Sequence, residues 1–376
     1  MKANYPGRFV FWFSALVVLA VIAAACTPAA PVPTATPVKT TPPAAATATT
    51  APPQATATSA PPPKPTTVPV TKIKIAQSFF IPLSLAWAVA QKEGYYKEEG
   101  LDAEFVRAPG TPGLAALAAG EILFSDAVGS AMNATMEGAP FRSVLTTGSA
   151  EQHAWARDPI KKASDLVGKK FGCSSTGDAA CLMTQKFMQK QGLDDVTKVT
   201  WLSAGGSGER LAALKSGALD GVYLSASEHL QMLPQEGKGF TFLGAVTSGI
   251  KVALLGGMAT STVTIRDQKD VLQRAVRATV KGQRFAMDPA KRDKNIAYLM
   301  EGANIPKETA AATLELYLSQ GALFKDGIMP PDIAKNTIDF NREVLKIKDQ
   351  FQPNQFFDES FAQAAAKELD AKGWKP

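Results

Sequence analysis

Acidic residues are missing from the first 70 positions of this 376-residue chain, which carry four basic residues and 14 of its 26 prolines. The formal charge of +6 at pH 7 therefore shrinks to +2 over the remaining 306 residues. So small a surplus leaves no basic face to neutralise a phosphate backbone, and a nucleic-acid partner is not expected. Cysteine is scarce, three residues in all, which excludes a scaffold built on disulfides. Two histidines, His153 and His229, make a histidine-rich metal centre unexpected. No metal or other cofactor is expected. There is no Gly-x-Ser-x-Gly elbow and no P-loop, since Ser207 is followed by Gly208-Glu209. What is present is ordinary for a globular protein, 45% hydrophobic and 20% charged, with length for about two domains of roughly 100–200 residues.

The front end reads as an address. Lys2 and Arg8 precede an apolar run from Phe9 to Ala25 broken only by Ser14, the pattern of a secretory signal. It ends Ala23-Ala24-Ala25-Cys26, which resembles a bacterial lipobox with Ala23 in place of the usual leucine. On this reading residues 1–25 are removed and Cys26 is lipidated, two acyl chains sufficing for stable anchoring. The alternative is an uncleaved N-terminal anchor, a run of about 17 residues being at the lower limit for a span. Either way the rest lies outside the cytoplasm. Residues 26–71, rich in proline, threonine and alanine, bury too little apolar surface to fold and form an extended tether.

Folding begins near residue 72, and two stretches of it repeat one design. Lys72–Ala76 and Lys169–Cys173 alternate like strands. A helix is expected at Leu83–Gly94 and its counterpart at Ala179–Gln191. Gly100-Leu101-Asp102 follows the first and Gly192-Leu193-Asp194 the second. Strands at Ala103–Arg107 and Thr200–Leu202 lead into glycine-rich turns, then into Leu114-Ala115-Ala116-Leu117 and Leu211-Ala212-Ala213-Leu214, which close on Gly120 and Gly217. Short strands follow at Ile122–Phe124 and Leu219–Leu224. Two β-α-β-α units imply an α/β protein with two mostly parallel sheets flanked by helices. Strands at Thr241–Val246 and Val252–Leu255 then cross back. Helices fill Val271–Met287, Lys294–Glu301, Lys307–Leu318, Pro331–Leu345 and Ser360–Lys372, on leucine and alanine spacing near 3.6.

In open α/β sheets ligands bind beyond the carboxyl ends of the strands. The polar loops at those ends nominate Gln77, Phe79, Phe80, Ser84, Thr111, Ser125, Asp126, Ser175, Thr176, Gly177, Ser207 and Tyr223 as ligand-binding residues. Each serine, threonine or aspartate has a plainer role as a helix cap, but together they suit a shared cleft.

The stretch Ala88–Asp102, AVAQKEGYYKEEGLD, resembles the signature of periplasmic binding proteins for sulfonates, nitrate and thiamine-pyrimidine precursors. So do ALAAGE at 116–121, Gly138-Ala139-Pro140 and ASDLVGKK at 163–170. The resemblance covers about residues 72–290. It implies a type II solute-binding fold with lobe 1 at about 72–152 plus 247–376 and lobe 2 at about 153–246. It implies further that the lobes close on a small ligand and dock on an ABC permease, as a monomer tethered to the membrane by its lipid. The rivals are a receptor signalling to a membrane partner and an enzyme on the same fold.

Residue by residue the alternatives stay open. Phe79 and Phe80 suit a stacking wall for a heteroaromatic ring such as a pyrimidine or flavin, whereas hydroxyl and glycine loops suit a sulfonate, nitrate or small carboxylate. The heteroaromatic is the expectation adopted. Trp87 reads as core. Asp126 either meets a ligand N–H or caps the next helix. Tyr223 is expected half-exposed at a strand end. His153 and Trp155 read as hinge packing. Arg142, Arg157 and Arg210 are candidate anion clamps. Cys173 and Cys181 form a disulfide or are two small buried residues, the latter being the reading adopted.

Overall fold

The computed structural model describes residues 70–149, 152–247, 252, 256–348 and 350–376. The leader, Cys26 and nearly all of the tether lie outside the described residues, as does the expected strand Val252–Leu255 apart from Val252.

The first run comprises β1 (Thr71–Gln77), α1 (Leu85–Lys92), α2 (Tyr95–Glu98), β2 (Leu101–Arg107), α3 (Thr111–Ala118), β3 (Phe124–Ser125), α4 (Val128–Met136) and β4 (Phe141–Leu145). The second comprises β5 (His153–Arg157), β6 (Lys170–Cys173), α5 (Ala179–Lys190), β7 (Thr200–Ser203), α6 (Ser207–Ser216), β8 (Gly221–Leu224), α7 (Ala226–Met232) and β9 (Phe240–Ala245). Then come β10 (Met258–Ser261), α8 (Thr262–Asp267), α9 (Lys269–Met287), α10 (Arg292–Ala303), α11 (Lys307–Ser319), α12 (Pro331–Leu345) and α13 (Ser360–Ala371).

The repeat seen in letters is a repeat in space. The sheets are ordered β2-β1-β3-β10-β4 and β7-β6-β8-β5-β9. In each, three parallel strands lead and the fourth runs antiparallel to both neighbours, so four of the five strands point one way. The fourth strand reaches the first sheet only after the second is complete. Strand β1 shows the expected alternation, with Ile73 and Ile75 buried and Lys72 and Lys74 exposed. Elements α2, α4, β4, β5, α7, β10 and α8 are not foreseen from the sequence. Helix α4 reads VGSAMNATM, too weakly amphipathic to announce itself, yet Val128, Ala131, Met132, Asn133 and Thr135 are all buried.

Helix α9 lies across α1, and the fit is tight. A Cβ on Gly282 would stand 2.0 Å from the Ala86 carbonyl oxygen, so only glycine permits this approach. The same helix carries Arg277 and Lys281, whose nitrogens lie 2.6 and 2.8 Å from Glu99 at the α2–β2 turn. Burial disfavours the Glu99 charge, but hydrogen bonds from these two cations overcome it and hold the carboxyl below its ordinary value. Glu99→Gln is expected to cost about 2 kcal/mol of stability. The loss stays below that of an orphaned buried pair because Arg277 keeps Glu368 at 2.6 Å and Lys281 keeps Glu98 at 3.0 Å. Urea unfolding at pH 7 measures it, and an unchanged midpoint would show the cluster to be neutral.

Candidate functional site

The carboxyl ends of β1, β2 and β3 face those of β6, β7 and β8, and the loops beyond them meet at three points. The Phe79 ring lies against Gly206, where an added Cβ would come within 3.2 Å of it. The Arg107 guanidinium pairs with Glu209 at 3.3 Å. The Ser175 hydroxyl sits 3.8 Å from a Cβ placed on Gly110. A hydrogen bond from the Gly206 N–H, together with Arg107, holds the Glu209 carboxyl below its ordinary value.

Two chambers abut where Phe79 meets Gly206. The inner one is about 80 Å³ and is lined in part by Ser78, Asp126, Ser174, Asp178, Arg210 and Tyr223. The outer one, about 380 Å³, includes Phe79, Phe80, Phe105, Arg107, Glu209 and Gly302 in its wall. Ser78, Phe79, Gly206 and Ser207 border both. The outer face of the Phe79 ring carries the Arg107 guanidinium 4.8 Å from its centroid.

The inner chamber is an acceptor-rich place. Ser78 donates to Asp126 twice, from its N–H at 2.8 Å and from its hydroxyl at 2.7 Å. Asp126 therefore does not cap α4, whose N-terminus has no side-chain cap. Burial pushes its carboxyl up to about 6, against the Ser78 bonds. Asp178 caps α5, accepting from the N–H groups of Ser175 at 3.0 Å and Cys181 at 2.7 Å and from the Ser174 hydroxyl. Burial raises Asp178 as well, despite those bonds and the charge of Arg210. Arg210 is turned back onto the protein. Its Nε donates to the Tyr223 carbonyl at 2.8 Å, its Nη1 to the Gly205 carbonyl at 2.5 Å, and its plane lies 4.2 Å above the Tyr223 ring. Two carboxylates thus share the chamber with one guanidinium already engaged by carbonyls.

Tyr223 is 2% exposed rather than half-exposed, because its hydroxyl is drawn into bonds with Ser174. Burial, with Asp178 beside it, pushes the phenol up to about 12. The reading of Cys173 and Cys181 as unpaired is corrected. They are joined by a disulfide with Cα atoms 5.4 Å apart, because α5 begins at Ala179 and brings Cys181 back over the end of β6. The bond closes the loop that presents Ser174 and Asp178. Replacing both cysteines by serine is expected to cost about 2.5 kcal/mol by loop entropy, read as a lower urea midpoint. A midpoint equal to that of the parent would show the loop to be held by Asp178 alone.

Of the candidates from sequence, the chambers gather Gln77, Phe79, Phe80, Asp126, Ser207, Arg210 and Tyr223. The others lie off them. The Ser84 hydroxyl is buried and accepts from the Ile81 N–H at 3.3 Å. Ser125 is buried and accepts from the Ala127 N–H at 3.2 Å. Thr111, Thr176 and Gly177 are exposed, and Ser175 faces Gly110 instead. Trp87 is core, packed on Phe105 and Phe124. His153 stacks on His229 at 3.8 Å, and Trp155 donates to His229 Nδ1 at 3.1 Å, both outside the chambers. Arg142 bonds its neighbour's carbonyl, and neither it nor Arg157 lines a chamber. The sequence reading passes over Ser78, Asp178 and Arg107 as ligand residues. The first two stand beside nominated ones, and Arg107 ends a strand that was read correctly.

The model of the family described as NMT1/THI5 like matches residues 82–292. Among solved structures, the chain is similar to the periplasmic nitrate-binding protein NrtA from Synechocystis PCC 6803, with 12% identity over 80% of this chain and 90% of that one and a TM-score of 0.62. It is similar to the alkanesulfonate-binding protein SsuA from Xanthomonas axonopodis pv. citri bound to MOPS, at 16% identity over 82% and 96% with a TM-score of 0.55. It is also similar to the desulfurization enzyme DSZB, at 14% identity over 79% and 99% with a TM-score of 0.51. At such identities the likeness concerns the fold. No curated protein matches the sequence.

Proposed function

Because the chain belongs to the NMT1/THI5-like family, we propose that it is the extracytoplasmic solute-binding component of an ABC importer, closing on a small planar solute and delivering it to a membrane permease. The observation that carries this reading is the pair of chambers enclosed by the carboxyl-end loops of two like sheets, with an aromatic ring at their junction. The secretory leader, Cys26 and the proline-rich tether support a lipid-anchored position. Among the described residues no helix is long and apolar enough to cross a membrane.

A heteroaromatic solute is favoured over an oxyanion. Phe79 sets a ring at the junction, its outer face stacked under the Arg107 guanidinium, and the inner chamber offers carboxylates where an anion binder needs donors. An enzymatic role is disfavoured, although the fold also carries a desulfurization enzyme. Among the described residues no histidine, lysine or cysteine lines either chamber, and the bases beside the chamber serines are carboxylates, Asp126 at Ser78 and Asp178 at Ser174.

The mechanism is a population shift, the solute bonding to both loop sets and so favouring the closed form. Small-angle scattering with and without a pool of extracellular solutes tests it. Compaction on addition is expected, and an unchanged radius at saturation would count against import and sensing alike.

A further inference from the structure

The solute need not be confined to one chamber. An inner space of about 80 Å³ is smaller than the roughly 150 Å³ cavity that holds a single benzene. The outer space of about 380 Å³ falls within the range of small-molecule sites, roughly 300–1,000 Å³. Ser78, Phe79, Gly206 and Ser207 divide them, and the one large side chain among these is Phe79, resting on a glycine of the opposite lobe. A ring of two torsions is readily swung aside, and Gly206 offers no side chain to hold it. The chemistry on its two sides differs. Inside, the Asp126 carboxylate faces the chamber with only part of its four acceptor positions taken by Ser78. Outside, the wall combines the rings of Phe79, Phe80 and Phe105 with the Arg107–Glu209 ion pair.

We propose, resting on the binding reading above, that the cleft is a bipartite site. The solute has an N–H-bearing head that donates to Asp126 in the inner chamber and a fused planar body that takes the place of the Arg107 guanidinium on Phe79 in the outer one. Asp126 is then the residue that selects against oxyanions, and Phe79 the residue that selects for size. Both follow from the placement of one acceptor and one ring on either side of a single partition.

Three probes separate the parts. Lumichrome carries an imide N–H on three fused rings, uracil carries the same imide on one ring, and phenazine has three fused rings without an N–H. Titration calorimetry on the mature protein is expected to rank lumichrome at least about tenfold tighter than either fragment, the upper end of one ring contact. Asp126→Asn keeps the shape and an acceptor for Ser78. It is expected to weaken lumichrome and uracil about tenfold and leave phenazine unchanged. Phe79→Ala is expected to weaken lumichrome and phenazine by more than it weakens uracil. Methanesulfonate is expected not to bind.

Uracil binding as tightly as lumichrome would remove the outer subsite. Methanesulfonate binding that survives Asp126→Asn would overturn the head assignment. Silence from all four compounds, together with compaction on a solute pool, overturns the bipartite site while leaving import standing. Silence with no compaction removes both.

Discussion

Arg210→Ala is expected to lower the unfolding free energy by about 3 kcal/mol and to weaken cleft binding by about 100-fold. The guanidinium is 3% exposed and joins the end of β8, through the Tyr223 carbonyl, to the glycine turn before α6, through the Gly205 carbonyl. Truncation leaves two carbonyls without these donors, each worth about 1–3 kcal/mol when buried. It also strips Asp178 of a nearby positive charge. The turn so loosened is the one that meets Phe79 across the cleft, which is why affinity falls with stability. Arg210→Lys is expected to recover little, since a point charge does not reproduce two diverging bonds. Urea unfolding and calorimetry with lumichrome read both effects. Loss of binding without loss of stability would mean that Arg210 grips the solute itself, as an anion clamp.

That outcome bears on what the sequence reveals. Repetition made the architecture legible. Leu-Ala-Ala-Leu before a glycine, and Gly-Leu-Asp after a helix, recur because each lobe solves the same packing problem with the same elements. Contributions that cross between the runs were not legible. Strand β10 is four residues, MATS, buried on both faces, with no alternation to mark it. The candidate loops were legible from the rule that ligands sit beyond carboxyl ends. The side chains within them were not, because direction depends on torsions that spacing does not encode. Ser78 faces Asp126, whereas Ser84 turns to the Ile81 N–H. Phe79 and Phe80 are neighbours, yet the first borders both chambers and the second packs against Gly302 and the core behind it. Cys173 and Cys181 stand eight apart, a separation that permits bonded and unbonded pairs alike. The start of α5 decides between them.

The solute-free protein is expected to gain stability as pH falls from 7.5 towards 5, about 1.5 kcal/mol from Asp126 and about 2.5 kcal/mol from Glu359, less about 2 kcal/mol withdrawn by His153. Burial pushes the Asp126 carboxyl from 3.8 up to about 6. Burial does the same to Glu359, from 4.5 up to about 7, against a bond from the Met329 N–H and with Asp358 adding to the rise. A carboxyl raised in the folded state binds its proton more tightly there than in the unfolded chain. Its charge therefore penalises the fold above the raised value, and the penalty is withdrawn as pH drops through it. Other groups act in the opposite sense: Glu99, held low by its cations, loses its contribution only at more acid pH, whereas His153, lowered to about 4 by burial, loses its own as pH falls below the ordinary histidine value. A maximum near about pH 5 follows. Asp126→Asn and Glu359→Gln are each expected to flatten part of the slope in urea unfolding. Only the first should alter the coupling to binding. Asp178, Arg210 and Tyr223 share its chamber, but a solute N–H seated on Asp126 requires that carboxylate to be ionised. Near pH 5.5 binding of lumichrome is then expected to release a proton, seen as a calorimetric heat that changes with the ionisation heat of the buffer. Asp126→Asn should abolish that dependence and Glu359→Gln should preserve it. A buffer dependence that survives Asp126→Asn would place the titrating group, and with it the head of the solute, elsewhere in the cleft.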